Sequence, residues 1–152
     1  MQLSVVATLY QSAPYVEEFC RRASKAAQDL VGEDYEIILV DDGSPDESLQ
    51  IAVRLCAEDR HMRVIELSRN FGHHKAMMTG LDHAAGERVF LIDSDLEESP
   101  EWLADFWTQL EAQEVDVVYG VQAQRRGGGI ERVTGWMFYR IFRLLTGIAQ
   151  SD

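Results

Sequence analysis

Short, nearly continuous apolar runs alternate along this chain with longer stretches whose apolar residues recur every three or four positions. The runs cover residues 3–9, 36–40, 63–67, 88–92 and 115–119. Runs this short, apolar on both alternate positions, fit strands covered on both faces. The stretches between them, 14–31, 44–56, 72–85 and 99–113, carry helical spacing. In the first, Val16, Phe19, Cys20, Ala23, Ala27 and Leu30 form one stripe. Ser44-Pro45-Asp46-Glu47 reads as a capping box with Ser44 as N-cap, and Ser99-Pro100-Glu101 as a second proline-led start. The alternation predicts an α/β fold: a mostly parallel, doubly wound sheet with right-handed crossovers.

Residues 122–129 (QAQRRGGG) read as a mobile loop, since they offer no apolar anchor and three successive glycines. Over 130–149, Ile130, Val133, Met137, Ile141, Leu144 and Ile148 predict a last amphipathic helix, basic through Arg132, Arg140 and Arg143. No internal repeat or linker divides the chain, so 1–152 reads as one domain.

In a doubly wound sheet, the loops that leave the carboxyl ends of the strands carry function. Two of them bear paired acids. Asp93-Ser94-Asp95-Leu96-Glu97-Glu98 places four carboxylates within six residues. Charges so close repel unless a cation neutralises them, and hard oxygen donors suit Mg²⁺ or Mn²⁺. The plainer alternative is a set of solvated acids facing the next helix N-terminus. Asp41 and Asp42 end the second run, where they could accept hydrogen bonds from a nucleobase edge or ribose, or simply organise the turn. Arg69, in Arg69-Asn70-Phe71-Gly72, lies on the same edge within reach of base or ribose. His73 and His74 are adjacent on a predicted helix; they point to different sides and cannot chelate one ion together, which leaves a supporting role. Trp102, Phe106 and Trp107 read as packing residues. After the first run stands Thr8-Leu9-Tyr10-Gln11-Ser12-Ala13-Pro14, without a G-x-G-x-x-G, and no Walker A lysine motif occurs. A phosphate here would be met by a metal and arginines instead of a glycine loop.

The net charge of −12 speaks against non-specific nucleic-acid binding. It is unevenly spread: from Gly120 onward five arginines face only Glu131 and Asp152. That end is expected to meet phosphates or lipid head groups, or else to be a solvated helix face. Cys20 and Cys56 match no metal or redox spacing and suit a reducing compartment. No signal peptide and no spanning apolar window are visible, so a cytoplasmic location is expected.

Taken in order, Ser4-Val5-Val6 leading to Tyr10, Val40-Asp41-Asp42-Gly43-Ser44-Pro45-Asp46, Leu67-Ser68-Arg69-Asn70-Phe71-Gly72-His73, Ile92-Asp93-Ser94-Asp95-Leu96-Glu97 and Asp116-Val117-Val118-Tyr119-Gly120-Val121 resemble the family 2 glycosyltransferases of GT-A type. The branch they are most similar to uses dolichol or undecaprenyl phosphate as acceptor. The resemblance implies an inverting enzyme that moves a hexose from a UDP- or GDP-sugar to a polyprenyl phosphate or glycan, in cell-envelope or lipid-linked sugar synthesis. It implies donor contacts from Thr8, Leu9, Tyr10, Asp41 and Asp42, with Arg69 and Ser94 beside them. Asp93 and Asp95 become the catalytic D-x-D, holding Mg²⁺ or Mn²⁺ with Glu97, and Arg125 and Arg132 clamp phosphates. The basic end would rest on the cytoplasmic face of a membrane, and self-association into a homo-oligomer stays open. Thr8-Leu9-Tyr10-Gln11-Ser12 departs from the Pro-x-Tyr-Asn-Glu of several relatives, Glu97 stands where many have Gln, and Gln122 where many have Arg. Relatives also run longer, so the chain is expected to be a C-terminally truncated portion in which donor binding outlasts catalysis. Two rival readings are a nucleotide-sugar-binding fragment without turnover and an Asp-nucleophile phosphatase built on Asp93-x-Asp95.

Overall fold

The computed structural model describes residues 1–113 and 115–120. Four parallel strands, β1 (Leu3–Leu9), β2 (Tyr35–Asp41), β3 (Met62–Glu66) and β4 (Arg88–Asp93), form one sheet in the order β3-β2-β1-β4. They alternate with α1 (Val16–Val31), α2 (Ser48–Glu58), α3 (His73–His83) and α4 (Trp102–Gln113). The strands lie within one compact unit, Met1–Val118.

Both central strands are buried along their whole length, which is why they show no polar alternation. One face of the sheet, with Val5, Leu9, Ile37, Leu39 and Phe90 among its residues, packs on Phe19 of α1, Ala52 of α2 and Leu103 of α4. The other face, Val6, Ile38 and Val40, meets Ala76 of α3. Helices on both faces make the sheet doubly wound, as expected. Each fully buried Val, Leu, Ile or Phe stabilises the fold by roughly 1.5–3 kcal/mol relative to exposure. α3 lies close because Gly80 has no side chain: a Cβ there would sit 2.3 Å from Val6 Cγ1. The register aligns Leu9 with Asp41 and Thr8 with Asp93, so the tips of β1, β2 and β4 form one edge.

Three expectations need correction. Residues 115–120 form no strand; Val117 is 73% exposed and Tyr119 is exposed beside it. Alternating hydrophobes supply a face but not the neighbouring backbone that a strand requires. Ser44 is not a helix N-cap either, because α2 begins four residues later with Glu47 as its capping position and without a side-chain cap. Asp46 takes over the end instead: its Oδ1 accepts from the Ser48 amide at 3.1 Å and from the Ser44 hydroxyl at 2.7 Å. A carboxylate two residues ahead satisfies the first helical N–H as an Asx turn, which outcompetes the weaker hydroxyl. Finally, Trp102 is 45% exposed, not a core residue. Phe106 and Trp107 do pack, Phe106 edge-on to Phe90 at 5.9 Å and Trp107 under the Arg88 guanidinium at 4.0 Å. The loop expected at 122–129 and the helix expected at 130–149 lie outside the described residues.

Candidate functional site

The site is assembled from the loops that leave β1, β2, β3 and β4. The loops after β2 and β3 touch backbone to backbone. Gly43 has φ +64°, and a Cβ there would stand 2.5 Å from the Asn70 amide nitrogen, so both conformation and space require glycine. Asp42 locks the contact. Its Oδ1 accepts from the Phe71 amide at 2.7 Å and its Oδ2 from the Gly72 amide at 3.0 Å. With 2% exposure, Asp42 has both oxygens committed to the protein. Asp41 is just as buried but differently supplied: Oδ2 accepts from the Ser44 amide at 3.1 Å, while Oδ1 has no partner. Burial pushes the Asp41 carboxyl above the ordinary range, and the Ser44 and Gly43 amides offset only part of that.

At the tip of β4, Asp93 is half-exposed and Asp95 exposed. Asp95 Oδ1 accepts from the Glu97 amide at 2.9 Å, and Leu96 turns the chain with φ +62°. Glu97 and Glu98 are exposed. The Glu98 carboxyl is pushed up by lost hydration and then by the charges of Asp93, Asp95 and Glu97. Among the described residues, no three His, Cys, Asp or Glu side chains stand together as a metal cage. A cation held by one or two carboxylates and completed by substrate phosphates and water needs no such cage. The paired, accessible carboxylates of Asp93 and Asp95 fit that donor set.

The remaining predicted residues divide between exposed and buried. Tyr10 is exposed at the edge. Leu9 is a core side chain, and its carbonyl accepts from the Asp42 amide at 3.0 Å. The buried Ser94 hydroxyl donates to the Thr8 carbonyl at 2.7 Å and lies 3.0 Å from Ser12 Oγ, tying the β4 loop to β1. Arg69 stacks over Phe71 at 4.1 Å. Arg125 and Arg132 lie outside the described residues. One neighbour was not among the expected site residues: the His73 imidazole sits between Thr8 Oγ1, 3.2 Å from Nδ1, and Asp93 Oδ1, 3.6 Å from Nε2. Its ring centroid is 5.6 Å from that of His74, with the two rings tilted by 56°. The pairing of β1 with β4 accounts for this placement, by setting Thr8 beside Asp93 near the start of α3.

A parallel doubly wound sheet with an Asp-x-Asp at the tip of its fourth strand is the GT-A arrangement, and residues 4–150 match glycosyl transferase family 2. The chain belongs to that family. It is 57% identical over 145 residues to a Mycobacterium tuberculosis (strain CDC 1551 / Oshkosh) protein named among the glycosyltransferases, covering 95% of this chain and 42% of that protein. It is 34% identical to the uncharacterized glycosyltransferase YkcC of Bacillus subtilis (strain 168), over 100% of this chain and 46% of the relative. The chain thus spans less than half the length of these relatives. Among solved structures, S. aureus TarS in complex with UDP-GlcNAc superposes with a TM-score of 0.63 at 29% identity, over 84% of this chain and 37% of TarS. The mannosyltransferase PcManGT from Pyrobaculum calidifontis, in complex with GDP-Man and Mn²⁺, gives 0.63 at 27% identity, over 72% of this chain and 32% of that one. Among the described residues no helix is long and apolar enough to cross a membrane.

Proposed function

We propose that this chain is the donor-binding part of an inverting glycosyltransferase that takes a hexose from a UDP- or GDP-sugar. The carrying observation is the accessible Asp93/Asp95 pair on one edge with Thr8, Tyr10 and Asp41, whose Oδ1 has no partner. Solved relatives bind UDP-GlcNAc in one case and GDP-Man with Mn²⁺ in another, which supports a nucleoside-diphosphate sugar and a divalent ion here. Asp93 and Asp95 would hold Mg²⁺ or Mn²⁺, with Glu97 alongside. When bound, that ion supplies positive charge where the departing diphosphate gains negative charge.

The protein's own residues do the rest. Asp42 fixes the loop before α3, and Ser94 fixes the loop after β4 to β1. Together they would hold the two loops in fixed places around the nucleotide, with the acceptor attacking the sugar's anomeric carbon from the side opposite the diphosphate. Asp41 Oδ1, an acceptor without a donor, is the group to receive a base or ribose hydrogen once the loop admits one. The acceptor in this reading is a polyprenyl phosphate at the cytoplasmic face of a membrane, guided by Arg125, Arg132 and the basic 130–149 segment. A phosphate is already anionic at neutral pH and needs little help from a general base.

Calorimetry of UDP, GDP, TDP and CDP, each in Mn²⁺ and in chelator, is the test. Binding of one nucleotide is expected to strengthen in Mn²⁺. Equal affinities in chelator and in Mn²⁺ for every nucleotide would sink the reading. The acceptor is tested by donor consumption with polyprenyl phosphate in vesicles against the same vesicles without it.

A further inference from the structure

We infer that His73 is a positioning residue of the donor site, which orients Asp93 for the cation, and that Asp42 acts on the site through it. The inference rests on the cation reading above. Thr8 and Asp93 are register partners on adjacent strands, so both side chains leave the sheet on the face that α3 covers. His73 is the first residue of α3 and lies over that pair. Among the described residues it is the one basic side chain within ion-pair reach of any acid in the β4 loop cluster Asp93, Asp95, Glu97 and Glu98.

The chemistry selects one arrangement of the ring. A carboxylate only accepts and carries negative charge, so a proton on the nitrogen facing Asp93 is the favourable arrangement. The Thr8 hydroxyl can rotate to donate to Nδ1. The neutral Nε2–H tautomer therefore suits both neighbours without a charge on the ring. At 3.6 Å the contact with Asp93 is too long for a hydrogen bond and is electrostatic. It draws Oδ1 toward the imidazole and leaves Oδ2 for another partner.

What holds His73 there is Asp42. No side chain caps α3, and Gly72, with φ +98°, precedes it. The two amides just ahead of His73, those of Phe71 and Gly72, are bound by one buried carboxylate. A change at Asp42 would release the entry to α3, and the imidazole with it. The second acid of Asp41-Asp42 thus serves the site without touching a ligand.

The test has two arms. In the first, imidazole ¹⁵N spectra are recorded on metal-free protein at a pH where the rings are neutral, with His73 assigned through His73→Gln. We expect His73 as the Nε2–H tautomer, with resonances that move in Asp93→Asn while those of His61 and His83 do not. The Nδ1–H tautomer, or indifference to Asp93→Asn, overturns the inference, whatever the nucleotide data show. The second arm is calorimetry of the preferred nucleotide with and without Mn²⁺. His73→Ala is expected to lower the Mn²⁺-dependent gain about tenfold, as loss of a partner behind a metal ligand does. Affinity in chelator should hold, and His73→Gln, whose amide can still donate to Asp93, should recover part of the gain. His73 is 47% exposed, so these variants are expected to fold. An undiminished gain in His73→Ala overturns the positioning role. A wild-type chain without any Mn²⁺ gain instead overturns the cation reading, and the first arm still decides whether His73 holds Asp93.

Discussion

Strand β2 carries a buried carboxylate near each end, and the two are provided for in opposite ways. Glu36, at the amino end, is 3% exposed. Its Oε1 accepts from the Ser4 hydroxyl at 2.7 Å and the Ala85 amide at 2.8 Å, and its Oε2 from Arg63 at 2.9 Å. Burial pushes its carboxyl up, but these donors outweigh it and hold it below the ordinary range. Asp41, at the carboxyl end, is buried as deeply, lacks a donor on Oδ1 and is pushed up instead. Burial alone therefore does not decide how a carboxylate on this strand is held; the supply of donors does. The amino edge is closed within the protein, whereas the carboxyl edge leaves Asp41 Oδ1 without a donor and gives Asp93 and Asp95 one protein neighbour each, His73 and the Glu97 amide. Charge left unmatched by the fold is charge available to a ligand.

The largest effect should come from the closed end. Glu36→Ala takes the acceptor from the buried Ser4 hydroxyl, which keeps only the Gly86 amide as a partner, and from the Ala85 amide, and a buried donor left without an acceptor costs about 1–3 kcal/mol. Urea denaturation should show a loss of about 3 kcal/mol, with nucleotide affinity in the surviving folded protein unchanged. A stability change under 1 kcal/mol, or weakened nucleotide binding, would erase the distinction between the two ends. Next come the open acids. Asp93→Asn and Asp95→Asn should each reduce Mn²⁺-dependent nucleotide affinity about thirtyfold, roughly 2 kcal/mol, without lowering the denaturation midpoint. Both variants remove repulsion from the cluster around Glu98, so a marked loss of stability would contradict the open-edge reading. Asp41→Asn sharpens the contrast at a smaller scale. Its stability should stay within about 1 kcal/mol of wild type, because no buried charge partner is stranded, while nucleotide affinity falls about fivefold, roughly 1 kcal/mol.

The sequence carried the scaffold further than the site. Continuous apolar runs mark the four strands among the described residues, because a central parallel strand must be apolar on both faces, and paired acids mark the tips of β2 and β4. Periodicity misjudged 115–119, where the pattern was right but a pairing neighbour was required. The entry to α2 is ambiguous in sequence because Ser44 and Asp46 both suit a cap; the loop after β1 holds both, through the Gln11 and Ala13 amides, but only Asp46 reaches the Ser48 amide that opens the helix. Asp41 and Asp42 are indistinguishable by type, position and burial; their difference lies in amides about thirty residues away in sequence. His73 was read as a supporting residue, but what it supports depends on strand register. Facts of this kind are set by long-range pairing, which no local pattern encodes.

The smallest effect expected is on acid sensitivity, and its sign tells the two kinds of acid apart. The Asp46 carboxyl, despite some burial, is held down to about 2 by the Ser48 and Ser44 hydroxyls and the Ala13 and Ser48 amides. A carboxyl whose pKa is lower in the folded chain stabilises the fold above its unfolded value and ceases to as pH falls through the folded one. For Asp46 that window runs from 3.8 down to about 2. Asp41 has the opposite sign: its raised pKa means that protonation favours the fold, so it partly offsets the loss as pH falls into the acid range. Denaturation midpoints measured in steps from neutral pH down to about pH 2.5, past the middle of the expected loss, should therefore fall less steeply in Asp46→Asn than in wild type. They should fall more steeply in Asp41→Asn. Parallel acid limbs in the two variants would mean that the fold treats both acids alike, and the contrast between satisfied and unmatched carboxylates would lose its energetic basis.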